Sequence, residues 1–107
     1  KLFAGKSTHS ITSAKKAEKN GYDYVLFGPV FSTPSKVKLG APQGIYNLEK
    51  VCRSVRIPVF AVGGITPSSA KQCLEAGAYG IALISAIMNS KNILKTVSDF
   101  RRNIGSL

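Results

Sequence analysis

The sequence of 107 residues has one histidine and two cysteines, and Cys52 and Cys73 stand far apart with no CxxC spacing. Zinc ligation is unsupported, because a structural site needs four Cys or His ligands at short spacings. Both cysteines read instead as buried apolar residues. No apolar run approaches the roughly 20 residues of a membrane helix. The chain opens at Lys1 without an initiator Met, and no segment has the build of a signal peptide. The expectation is a cytoplasmic protein with no membrane partner. A GxGxxG after the first strand is also missing, which counts against a dinucleotide-binding sheet.

Acidic residues are scarce, with 5 Asp and Glu against 15 Lys and Arg and a net charge of +10. Such a balance invites a nucleic-acid reading. Here Lys15, Lys16, Lys19, Lys50, Arg53, Arg56, Lys71, Lys91, Lys95, Arg101 and Arg102 are scattered over segments that read as helix faces or ends. No aromatic residues interleave with them to stack bases, so a solvated basic outer ring is expected and no nucleic-acid partner.

Three short apolar runs are present: Tyr22 to Phe31, Ile57 to Val62 and Tyr79 to Met88. They lack alternation, which predicts strands of a parallel sheet buried on both faces. A further short strand is predicted at Leu2 to Lys6. Between strands, Leu48, Val51, Cys52 and Val55 recur at helical spacing, as do Ile93, Leu94, Val97 and Phe100. Ser10 can cap a helix over Ile11 to Asn20 that Gly21 ends, and Thr66-Pro67 opens a helix that Gly77 ends. These are four βα units without an internal linker, so residues 1–107 read as one segment. A complete (β/α)8 barrel, the TIM architecture, has eight such units in about 250 residues. The predicted fold is therefore α/β, the C-terminal half of a TIM (β/α)8 barrel. Four strands alone would leave two unpaired edges and an apolar face, so the missing N-terminal half-barrel, or another copy of the chain, is an expected partner.

The residues suited to chemistry cluster where strands give way to loops, the face on which barrels build active sites. Ser7-Thr8-His9-Ser10 precedes a helix and could bind an anion through hydroxyls and backbone N–H groups, or could simply cap it. In Gly28 to Lys36, Thr33, Ser35 and Lys36 offer two hydroxyls and an ammonium, a set suited to phosphate; a solvent-exposed turn is the plainer alternative. Gly63-Gly64-Ile65-Thr66-Pro67 would let backbone approach a ligand at a helix N-terminus, or would serve a tight turn. Ile84-Ser85-Ala86 ends the last predicted strand.

Taken together, the STHS string at 7–10, GPVFSTPSK at 28–36, VGGITP at 62–67 and ISAI at 84–87 resemble the thiamine phosphate synthase family over essentially the whole chain. The resemblance implies strands five to eight of that family's barrel. It also implies a reaction: hydroxymethylpyrimidine diphosphate joins a thiazole phosphate, giving thiamine phosphate and pyrophosphate. The phosphorylated substrates would meet Ser7 and Lys36 at the pyrimidine diphosphate, with Lys36 stabilising the departing pyrophosphate. Thr33, Pro34 and Ser35 would form the thiazole phosphate loop, and Gly64, Ile84 and Ser85 its backbone cradle. Magnesium is implied as cofactor, but its aspartate ligands belong to the family's first half. Asp23 and Asp99, the chain's only aspartates, lie away from the inferred ligand face, so no metal ligand is expected here and the segment alone is expected to be inactive.

Two other readings compete. The related thiazole tautomerase would use His9 as general acid and base, but tautomerase-like sequences tend to carry His where this chain has Pro29 and Cys where it has Ser35. A non-catalytic phosphate-ligand or regulatory module would keep the loops and lack the metal half.

Overall fold

The computed structural model describes residues 3–32 and 41–82. In chain order these form β1 (Gly5–Thr8), α1 (Ile11–Lys19), β2 (Tyr24–Phe27), α2 (Gly44–Ser54), β3 (Val59–Val62), α3 (Pro67–Glu75) and β4 (Gly80–Ala82). The strands pair in the order β1-β2-β3-β4, all parallel, with a helix in each connection. The described residues thus hold four parallel strands, half the number in a (β/α)8 barrel. The helix proposed around Ile93 to Phe100 lies outside the described residues.

Helix boundaries follow the chemistry of the caps. The Ser10 side chain accepts from the Ser13 amide, and the Ser13 hydroxyl accepts in turn from the Ser10 amide. Thr66 and Ser69 repeat this exchange at α3, where Pro67 occupies the first turn. Each pairing satisfies two backbone donors that a helix start would otherwise leave open. Helix α2 has no side-chain cap.

Strand bounds are narrower than the apolar runs predict. The first strand is Gly5–Thr8 rather than Leu2 to Lys6, and the second spans only Tyr24–Phe27. Pro29 has no N–H to give where the ladder would next need a donor, so β2 ends at Phe27 and the apolar residues beyond it continue as loop. Burial on both faces is also not observed. Val25, Phe27, Val59 and Ala61 point toward the helices and form one core with Ala14, Ala17, Leu48, Val51, Ala70 and Cys73. Their alternates Tyr24, Leu26, Phe60 and Val62 are only half-buried.

That second face carries an aromatic chain. Tyr24 and Phe60 meet edge to face at 5.5 Å, and Phe60 meets Tyr79 at 5.6 Å. The Tyr24 ring lies over Gly5 and the Phe60 ring over Gly80, positions where a Cβ would collide with the rings. A cavity of about 710 Å³, lined by Phe3, Asp23, Tyr24, Pro58, Phe60 and Tyr79 among others, opens where the strands begin. Phe3 and Tyr79 are each 74% exposed, which marks this face as apolar surface without a described cover.

At the same end, acidic side chains tie down backbone. Glu18 Oε2 accepts from the amides of Arg56 and Ile57, joining the end of α1 to the approach of β3. Asp23 Oδ2 accepts from the Ala4 amide at 2.8 Å. Glu18→Ala should therefore lower unfolding free energy by about 1–3 kcal/mol, the cost of leaving such donors unmet. Denaturant titration beside Glu18→Gln, which keeps an acceptor oxygen, checks this: equal stability of all three proteins would refute the tie.

Candidate active site

The opposite end of the sheet carries the hydroxyls and glycines. Ser7 lies inside β1 rather than after it, level with Leu26 on the half-buried face, and its side chain is exposed. Thr8 turns the other way, is buried, and donates its hydroxyl to the Leu26 carbonyl at 2.9 Å. His9 follows the strand in a bend and is exposed. Its Nδ1 lies 2.9 Å from the Gly28 carbonyl oxygen, bridging the ends of β1 and β2.

Beyond β2 and β3, backbone hydrogen bonds outside the ladder tie the two loops together. The Val30 amide donates to the Val62 carbonyl at 2.9 Å, and the Phe31 amide to the Gly63 carbonyl at 3.1 Å. Three glycines permit the approach. A Cβ on Gly28 would strike the Val62 carbonyl, and one on Gly63 would strike the Pro29 ring. Gly64, at φ +66°, would place a Cβ against the Phe31 and Ser32 carbonyls. The same loop seats α2, because the Pro29 and Val30 carbonyls accept from Gln43 at 2.7 Å and Gly44 at 2.8 Å. Loop carbonyls therefore do at α2 what side chains do at α1 and α3.

Of the sequence-proposed site residues, the structure places Ser7 in β1, His9 just past its end against the Gly28 carbonyl, and Gly64 in the loop after β3. Thr33, Pro34, Ser35, Lys36, Ile84 and Ser85 lie outside the described residues. Gly64 is explained by loop packing as it stands, whatever ligand it meets. The role of Gly28 as acceptor for His9 went unread, since nothing in a sequence marks which carbonyl a lone histidine will meet.

Asp23 is held at the strand-start end, as the sequence suggested, and so is Glu18. Among the described residues no group of three or more His, Cys, Asp or Glu could hold a metal ion, so they do not fit a magnesium site. No described helix is long and apolar enough to cross a membrane. Of the basic residues assigned to an outer ring, Lys15, Lys16, Lys19, Lys50, Arg53 and Arg56 are exposed and Lys71 is half-buried. Lys91, Lys95, Arg101 and Arg102 lie outside the described residues.

A half-set of parallel strands, with helices on one face and hydroxyls and glycines at the strand ends, defines a partial α/β barrel. The comparisons give it a family. The family described as thiamine monophosphate synthase matches residues 1–87. A thiamine-phosphate synthase from Pyrococcus furiosus is 41% identical over 102 residues, covering 94% of this chain and 48% of that protein. A putative thiamine-phosphate synthase from Geobacter sulfurreducens is 46% identical over 84 residues, covering 78% of this chain and 39% of the relative. The solved thiamine phosphate pyrophosphorylase from Pyrococcus furiosus superposes with a TM-score of 0.84 at 38% identity, over 98% of this chain and 50% of that one. The chain belongs to the thiamine monophosphate synthase family and spans about half the length of the curated relatives it matches.

Two predictions follow from the site's frame. Gly64→Ala should destabilise the ligand-free protein by about 1–3 kcal/mol, because a side chain is strained at this φ and meets two carbonyls. A thermal melt without ligand checks it, and an unchanged midpoint would show that the loops relax freely. The cysteines give the second. Cys73 is buried, as expected, whereas Cys52 is half-buried on the side of α2 nearer Gly77. Burial pushes the Cys73 thiol up to about 11 and raises that of Cys52 less far. At pH 8 Cys73 should alkylate on the order of 100-fold more slowly than the same thiol in the unfolded chain, since only the thiolate reacts. Comparable rates in native buffer and in denaturant would contradict this.

Proposed function

We propose that the chain supplies strands five to eight of a thiamine phosphate synthase, condensing hydroxymethylpyrimidine diphosphate with thiazole phosphate to release pyrophosphate. The observation that carries this reading is the mouth at the strand ends, where Ser7 and His9 stand two residues apart at the end of β1 and the next two loops are locked together, in a chain of this family. A rigid mouth suits a reaction whose catalysis rests on holding two phosphorylated substrates in line.

Each residue then has a task. Ser7 donates its hydroxyl to the pyrimidine diphosphate, and Lys36 neutralises charge as pyrophosphate departs. Thr33, Pro34, Ser35, Gly64, Ile84 and Ser85 hold the thiazole phosphate and so orient the thiazole nitrogen toward the methylene carbon. Magnesium, when bound, would neutralise the diphosphate, held by residues of the other half of the barrel. The segment alone is inactive in this reading, and activity needs a half-barrel that covers the aromatic face. The protein works in the cytoplasm, where its substrates would be made.

The test is thiazole-dependent pyrophosphate release, with magnesium, from the chain joined to or mixed with the half that completes it. Release only in the completed protein is the expected result. No release in either state, with thiazole phosphate still bound, would favour a non-catalytic binding module. In the active protein Lys36→Ala should lower kcat by on the order of 100-fold while thiazole phosphate affinity changes little, because its partner is the leaving group. Equal losses in both would remove Lys36 from that role.

A further inference from the structure

The contact between His9 Nδ1 and the Gly28 carbonyl, at 2.9 Å, has a chemical consequence. A carbonyl oxygen only accepts, so Nδ1 must carry a proton whether the ring is neutral or charged. The bridge also fixes the ring between the ends of β1 and β2, two residues beyond Ser7. Nε2 is thus the one ring nitrogen that can exchange a proton, in a side chain exposed at the mouth.

In the proposed condensation, the bond between the pyrimidine methylene carbon and the diphosphate oxygen breaks, and its electron pair stays on that oxygen. The thiazole nitrogen supplies the pair for the new carbon–nitrogen bond. That nitrogen carries no proton, so a general base has nothing to remove. A proton can help at one point only, on the oxygen that leaves.

We infer that His9 is a catalytic residue at that point, its Nε2–H donating a proton to the departing diphosphate oxygen while Nδ1–H stays on the Gly28 carbonyl. The proton moves from Nε2 to oxygen, the imidazolium becomes neutral imidazole, and the pyrophosphate departs with one negative charge fewer. Lys36 and His9 then divide the task, one neutralising charge in place and the other transferring a proton. The inference rests on the synthase reading and adds the chain's single histidine to it.

Two variants separate proton transfer from positioning. His9→Asn places an amide nitrogen where Nδ1 stands, keeping a donor for Gly28 but removing Nε2. His9→Gln places an amide near Nε2 that can hydrogen-bond but cannot give up its proton. In the completed, active protein both should lower kcat by on the order of 100-fold or more, with thiazole phosphate KM unchanged. The loss should shrink toward wild type on a pyrimidine whose methylene bears chloride, a leaving group that needs no proton; a folding or positioning defect would persist there. Wild-type kcat in His9→Asn, or an equal loss on both substrates, would overturn the inference with the synthase reading intact. A wild-type protein that releases no pyrophosphate in the presence of thiazole phosphate would overturn both.

Discussion

The hydrogen bonds from Val30 to Val62 and from Phe31 to Gly63 tie together the loops that follow β2 and β3, past the last strand residues. Much of the described mouth depends on them. They fix the loop whose Pro29 and Val30 carbonyls seat the start of α2, and they bring Phe31 and Ser32 against Gly64. They are also why three glycines stand at positions 28, 63 and 64, since any Cβ there would push the two loops apart. The Gly28 carbonyl, placed by the same loop, receives His9 and so joins the end of β1 to this frame.

The two ends of the sheet use polar groups differently. Where the strands begin, the carboxylates of Glu18 and Asp23 are spent on backbone amides, which is structural work. Where they end, the side chains are hydroxyls and an imidazole, exposed or half-buried around loops that backbone pairing holds. Conformational entropy that a mobile loop would keep has already been lost there on folding. Barrels in general divide their two ends in this way, with stability at the strand starts and loops free for ligands at the strand ends.

Local chemistry made part of this legible in the sequence. Ser10 and Thr66-Pro67 announced their helices because a cap is a contact among residues three apart. Gly21 and Gly77 ended theirs with φ at +88° and +113°. The parallel sheet followed from continuous apolar runs and βα alternation. Strand limits did not, because Gly28 to Phe31 is as apolar as the strand before it, and only the register with β3 makes Pro29 the missing donor that stops the ladder. For Gly64 a ligand and a neighbouring loop ask for the same missing side chain, so a sequence cannot separate them. The Gly28 carbonyl as partner of His9 depends on residues 19 apart and had no local signature.

The half-buried face sets what the described sheet still has to bury. Tyr24, Phe60 and Tyr79 pack edge to face in a line across the sheet, with Gly5 and Gly80 left bare to admit the rings. Such packing suits a barrel interior, where layers of side chains from alternate strands fill the lumen and large residues face small ones. In water the same face exposes apolar rings, and among the described residues β1 and β4 each have one unpaired edge. Covering it with four more parallel strands would bury the rings, pair both edges and bring a second set of loops to the mouth. The acidic residues described here are committed to backbone or to Arg53 in three cases, Glu18, Asp23 and Glu49. The described carboxylates therefore work within the frame, at the strand starts and on α2. The exposed aromatic face, rather than any acidic cluster, is where the described half-sheet still has surface to bury.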